Sequence, residues 1–454
     1  MQKPLLILCL AAGILAGFSC KKASETPTED PSGNNNQDKP QTEEPSKTPD
    51  EIFASDFFQR FEDPVSGVVS YYLKSEAIGK DNSQSVYFQG CEFSNDERFL
   101  FCMCSTNETK VREGLATQER YCLILDLKTR RTYQFPKSDN YPWLDPETDQ
   151  LYYCVRAKDQ GSAQFYRRDL LKAPLKDVTL AAFPKAIIPE GSPRPISRTL
   201  NHITLTTDRK KVFIDCWVKD VNRKDYFIWG LLNLYTGEWD QWGVSETENV
   251  THGQMNPKHD DEALCAIDGW DDSQKVHHSL GKDPDGTTRR LQYVKRDFMK
   301  TIMPSDENGA THEGWTADGN WVYFCGHGIN LRNVRTNEYK RVLLTDLSKE
   351  QATHCHPTKD LKYWTFDDAY PDFYRGGRWK VHFLNTVTNK RIMIYSGRPA
   401  INDKDNLSNL HPDPHPHFVC NDKYIICTMA GDDLNLHLSI TPVDQLIKLT
   451  ESSF

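Results

Sequence analysis

Beyond about residue 51 the chain is built from short runs in which apolar and polar residues alternate, as in "YCLILDLKTRRTYQF", "FIWGLLNLYTGEWDQW" and "KVHFLNTVTNKRIMIY". A period of two sends successive side chains to opposite faces of a strand, so each stretch reads as two strands joined by a turn. Ahead of such pairs lies a recurring motif: a polar start, an apolar residue three positions on, a turn rich in Asp, Gly, Asn or Lys, then a strand. It occurs as "GCEFSNDERFLFC" from Gly90, "YPWLDPETDQLYYC" from Tyr141, "HITLTTDRKKVFI" from His202, "HGQMNPKHDDEALC" from His252, "HEGWTADGNWVYFC" from His312, "HCHPTKDLKYWTF" from His354 and "HPHFVCNDKYIIC" from His415. Seven units of roughly 40–60 residues, with three or four strands each, predict an all-β fold, a seven-bladed β-propeller. An unclosed ring would expose blade edges. "VVSYYLK" (68–74), or a neighbouring N-terminal strand, is therefore expected to close it.

The ends of the chain read differently. "MQKPLLILCLAAGILAGFS" carries one Lys, an apolar run and then small residues, the pattern of a signal peptide over 1–19 and not of a membrane span. "GFSC" resembles a lipobox, which makes Cys20 the expected acylated first residue of a lipoprotein held in the bacterial cell envelope, at the periplasm or the cell surface. Residues 20–50 lack apolar periodicity and are rich in Pro, Ser, Asn, Glu and Thr, as expected of a disordered linker. No second linker follows, so 51–454 reads as one domain.

Net charge is −9, and residues 21–50, with four Lys against seven acids, supply −3 of it. The folded part is mildly acidic and carries no basic stripe, which argues against nucleic acid. Of the thirteen cysteines, many fall inside strand-like runs such as "LYYCVRA" and "YIICTMA". Most are expected to be small buried hydrophobes, with a disulfide between neighbours such as Cys102 and Cys122 left open. The absence of a C-x-x-C pair removes zinc-ribbon and thioredoxin-like readings.

Five of the seven motif copies begin with His. In a propeller the first strand of each blade lines the central channel, so His202, His252, His312, His354 and His415 are expected to converge at one mouth. A single such histidine is more often a backbone cap; five together favour a metal or proton-transfer site. "HPDPHPHF" (411–418) has proline at every second position, which enforces an extended run and is expected to turn His411, Asp413, His415 and His417 roughly the same way.

"THGQMNP", "ATHEGWTADGNWVYF", "FDDAYPDF" followed by "VHFLNT", and "DPHPHFVCNDKYIICT" together resemble the oligogalacturonate lyase family, seven-bladed enzymes related to TolB-like propellers, over roughly residues 200–445. The resemblance puts His312 and His415 on family metal ligands and Asp413 on a third, where carboxylate replaces imidazole. The family's glutamine ligand falls on Leu410, leaving His411 or His354 to complete the shell, and the family's arginine falls near Ile228. His252 falls on the proposed base. The implied cofactor is a divalent ion, Mn2+ or Ca2+, and the implied partner an acidic oligosaccharide.

Lyase cleavage of a uronide removes the proton at C5 and expels the oxygen at C4, which requires the C6 carboxylate charge to be neutralised, a task for a Lewis-acid cation. A neutral imidazole can accept the proton. Further cations are sought in Arg198 and Arg223, and in Arg375 and Arg378 of "YRGGRW", beside Tyr374 and Trp379. His202 and His354 are expected to touch substrate. Two alternatives share the fold: action on another uronate glycan, or a propeller that binds glycan or protein without turnover.

Overall fold

The structure, a computed structural model, describes residues 53, 56–79, 81–106, 119–135, 141–271, 276–277, 289–302, 310–346, 349–368, 379–398, 413–433 and 435–452. The expected signal peptide, Cys20, the linker, Arg375, Arg378 and His411 lie outside them.

Six four-stranded antiparallel sheets follow in chain order, each made of consecutive strands except that in blade 4 a two-stranded pair, Trp270–Asp271 with Val276–His277, intervenes between the second and third strands. Blade 1 runs from Asn82–Gln84 to Arg131–Phe135, blade 2 from Trp143–Asp145 to Asp177–Ala182, and blade 3 from Ile196–Arg198 to Trp239–Ser245. Blade 4 runs from Asn249–Met255 to Phe298–Thr301, blade 5 from Thr311–Trp315 to Tyr339–Leu344, and blade 6 from Cys355–Pro357 to Lys390–Tyr395. Blade 7 is composite: His417–Val419, Tyr424–Ala430 and Leu436–Pro442 continue into Val69–Leu73 and Phe58–Glu62 from the other end of the chain. Tyr71 pairs with Ile440 and Tyr72 with Ser439. The segment "VVSYYLK" thus closes the ring, as the need to leave no open blade edge led one to expect.

Burial explains why the second strands read as continuous apolar runs. In Phe99–Ser105, Phe99 and Phe101 pack towards blade 2, while Leu100, Cys102 and Cys104 pack towards blade 7. Both faces are covered, so both sets of alternating positions must be apolar. Seven hydrophobic clusters result, one at each junction between neighbouring blades, the one joining blades 7 and 1 included. The helix Val443–Glu451 buries Val443 and Leu446 against blades 6 and 7. Cysteines serve in this packing. Ten of the eleven described are buried, and among the described residues no disulfide forms.

Candidate functional site: the histidine mouth of the channel

The inner strands of blades 4 and 5 are bulged. Register slips between Thr251 and Gln254 and between Thr311 and Gly314, at His252 and at His312. These two residues and His415 have φ of 52, 55 and 48°, in the left-handed region that non-glycine residues seldom adopt. A bulge of this kind re-aims a side chain, here into the channel. Local sequence permits it: a Cβ on Gly253 would come 2.5 Å from Phe213 Cδ1.

Two buried aspartates brace the backbone around the channel histidines. Asp215, on the second strand of blade 3, accepts from the backbone N–H of Asn201 at 2.9 Å and from that of Gly253, in the next blade, at 3.0 Å. Asp367 does the same between blades 6 and 7, accepting from His354 N at 2.8 Å and His415 N at 3.2 Å. The Oδ2 that accepts from His415 N also lies 2.8 Å from His354 Nδ1. Burial pushes the Asp367 carboxyl well above the usual range, and those backbone N–H groups work against the rise.

All five histidines that open motif copies meet at this mouth. The ring centroids of His312 and His354 are 4.0 Å apart, those of His354 and His415 4.2 Å, and those of His202 and His252 5.7 Å. Ligand atoms of His354, Asp413 and His415, all buried, lie within 4.8 Å of one another. Donors so spaced are near the separation at which one ion could be shared, with a small inward shift for bonds of about 2.0–2.2 Å, and two imidazoles with a carboxylate suit a divalent transition metal. With Nδ1 turned to Asp367, His354 has Nε2 to offer a ligand, the arrangement by which carboxylates orient metal-binding imidazoles. His312 stands beside this trio.

His252 occupies the other side of the mouth. Its side chain is 23% exposed and its Nδ1 lies 3.8 Å from Glu313 Oε1. Burial, then the positive charge of Arg290, hold its imidazole well below the usual histidine range, so it is neutral at neutral pH. Burial raises the Glu313 carboxyl, against the pull of Arg290. His202 is more deeply set, and burial followed by Arg198 pushes it down to about 3.

An aromatic side chain fills the space between the imidazoles. The half-buried Tyr87, from blade 1, has ring centroids 5.0 Å from His202, 6.1 Å from His252 and 4.7 Å from His415, and it is parallel to the first two. Tyr141 stacks behind His202 at 6.0 Å. Phe88, fully buried, lies beneath His312 and His354.

Two solved structures overlay on most of this chain. One is an oligogalacturonate lyase in complex with manganese, at a TM-score of 0.60 and 16% identity, covering 85% of this chain and 96% of that one. The fold is that of the oligogalacturonate lyases. The second, an oligogalacturonate lyase from Vibrio parahaemolyticus, aligns at a TM-score of 0.59 and 15% identity, with the same coverage of 85% and 96%. At these identities the likeness is one of fold. No family model and no curated protein sequence matches the chain.

The structure departs from the sequence reading in places. His417 does not join its neighbours: its Nε2 lies 2.8 Å from Glu92 Oε2 and its Nδ1 2.9 Å from the His415 carbonyl, both ring and carboxylate being fully buried. The left-handed turn at His415 breaks the alternation that would have aligned the two. Arg223 lies in an exposed hairpin turn, donating to the Pro193 carbonyl at 3.3 Å. Arg198 is near His202, but its guanidinium is taken up by the Asp215 and Val250 carbonyls and the Asn249 side chain. Sequence reasoning missed Arg290, Tyr87, Phe88, Glu313 and Asp367. A signal existed for the last: Asp215 and Asp367 each stand thirteen residues after their blade's channel histidine.

Proposed function

We propose that this chain is a polysaccharide lyase that cleaves uronic-acid-containing oligosaccharides by metal-assisted β-elimination. The observation that carries the reading is the pairing, at one channel mouth, of a His354–Asp413–His415 ligand trio with a neutral, partly exposed His252 that shares the Tyr87 ring with His415. The fold likeness to a manganese-bound oligogalacturonate lyase supports it. A divalent ion held by His354, Asp413 and His415, with His312 beside them, would draw charge from the C6 carboxylate and so acidify C5.

The chain's own residues supply the rest. His252, uncharged at neutral pH, accepts the C5 proton at a ring nitrogen; the electron pair left behind forms the C4–C5 double bond as the C4–oxygen bond breaks, and the departing oxygen takes a proton from water. Arg290, itself held by Asp268 and the Ile267 carbonyl, is near enough to help keep His252 neutral. We further propose that Cys20 tethers the enzyme to the cell envelope, where external polysaccharide fragments are met; replacing Cys20 by Ser should release the protein from the membrane fraction.

The test is incubation of the purified protein with oligomers of different uronic acids, with and without chelator, following ultraviolet absorbance of the unsaturated product. The reading expects product from at least one oligomer and its loss on chelation. Lack of product from every polyuronate would leave the chain a binding propeller.

A further inference from the structure

Outside the channel mouth, the described residues bring together one other set of metal-ligating side chains. It lies on blade 6 and consists of Glu350, Asp368 and His382, each with a ligand atom within 4.8 Å of the other two. The strand pairing builds it. His382, on the third strand, sits opposite Phe366 on the second and stacks on its ring at 4.7 Å and 17°. Asp368 is two residues beyond Phe366, hence on the same face. Glu350 arrives from the segment leading into the inner strand, where the backbone N–H of Gln351 donates to Asp368 Oδ1 at 3.1 Å.

His382 is the anomaly. Its residue is 3% exposed, yet neither ring nitrogen has a hydrogen-bond partner. Buried imidazoles are almost always bonded, because stripping them of water without replacement is unfavourable. This one instead has a ring nitrogen within 4.8 Å of a carboxylate oxygen from each of Glu350 and Asp368. We propose that Glu350, Asp368 and His382 form a second divalent-metal site, separate from the channel trio. One imidazole with two carboxylates is a mixed nitrogen and oxygen set, suited to Zn2+ or Mn2+ and poorly suited to Mg2+ or Ca2+, which favour oxygen alone.

The cations nearby fit a supporting role. Lys380 Nζ is 3.3 Å from Asp368 Oδ2, and Arg391 is 2.6 Å from Glu350 Oε1. Both are about one-third exposed, at 32% and 37% of the side chain, so each can hold its carboxylate while solvent takes up part of its charge. A carboxylate has two oxygens and several lone pairs, and one paired cation does not exhaust it. Asp368 adjoins Asp367 on the same strand, and adjacent residues face opposite sides of the sheet. An ion on Asp368 would therefore pin, from the blade 5 side, the strand whose Asp367 orients His354.

The experiment uses the full chain, stripped with chelator and dialysed against Zn2+ or Mn2+, with Mg2+ as control. A variant lacking both Asp413 and His415 as ligands, D413N with H415A, removes the channel trio. It should still bind about one equivalent of Zn2+ or Mn2+, and adding H382A should bring that to none. Because H382A disturbs a buried position, E350Q, at a partly exposed ligand, is measured in parallel and should weaken the same binding while leaving the thermal transition in place. Nitrogen coupling in the Mn2+ spin-echo signal of the D413N/H415A protein should disappear with H382A. The proposal is overturned if the D413N/H415A protein binds no ion, or if its ion is indifferent to both E350Q and H382A. Either result leaves the channel reading untouched; conversely, a wild-type protein whose metal is all lost with H382A and none with H415A would overturn the channel trio and keep this site.

Discussion

Replacing His252 in two ways separates its chemistry from its backbone. At φ 52° any side chain pays for a left-handed conformation, roughly 1–2 kcal/mol. His252→Ala removes the imidazole and keeps that strain; His252→Gly removes both. Each variant gives up the same stacking of the ring on Tyr87 and His202, so the difference between them isolates the backbone. Glycine also gains freedom in the unfolded chain, which offsets about 0.4–1 kcal/mol. The glycine variant should therefore be the more stable of the two by about 0.5–1 kcal/mol, near 1 °C in Tm for a domain of this size. Both should lose about 10²–10⁴ in the rate of double-bond formation on any uronate oligomer the parent cleaves, since a positioned base is worth that much. Turnover is read from ultraviolet absorbance, stability from denaturant midpoints and metal content by elemental analysis, the last expected to stay at the parent level. Wild-type turnover in either variant would make His252 structural and move the search for a base to His202. A glycine variant no more stable than the alanine one would refute the backbone argument.

Three further outcomes follow from the same geometry. His415→Ala should lower the metal bound at the channel, whereas full metal retained by a protein lacking both His312 and His415 would place that ion elsewhere. His417→Ala strands the fully buried Glu92 without its partner and should cost about 3–5 kcal/mol in chemical unfolding; a loss under about 1 kcal/mol would mean the carboxylate finds another partner. His202 has its pKa held near 3 in the fold against an ordinary 6.5, so as pH falls the unfolded chain takes up the proton first. Its contribution to stability is complete above about pH 6.5 and is lost as pH falls towards 3, at up to about 1.4 kcal/mol per unit, and His202→Phe should flatten the measured slope in that window.

What could be read from the sequence was what repeats. The seven motif copies mark the blades because each blade solves the same packing problem, and "VVSYYLK" is legible as the closing strand because a ring left open would expose blade edges. The five histidines are legible as a group for the same reason: equal places in the repeat become neighbours around an axis. Residues that break the repeat were not legible. Tyr87 reaches the mouth from just before the first motif copy, Arg290 comes from the edge of the third strand of blade 4, and the reversed side chain of His415 depends on a single positive φ. His417 shows the limit most clearly. Alternation is a statement about regular strands, and one left-handed residue was enough to send two histidines, spaced by two, to different partners.

Closure of the ring by both ends of the chain also sets an order of events. Tyr71 and Ile440 pair across nearly the whole length of the domain, and the Val69 N–H meets Gln445 at a separation of 376 positions. Pairings that distant form slowly and last, and the strands that leave the ribosome first must wait for those that leave at the end. Asp413 and His415 belong to that last blade. A nascent chain would present His312 and His354 before Asp413 and His415 are made, so an ion bound as proposed could not template folding and would be captured only by a finished chain.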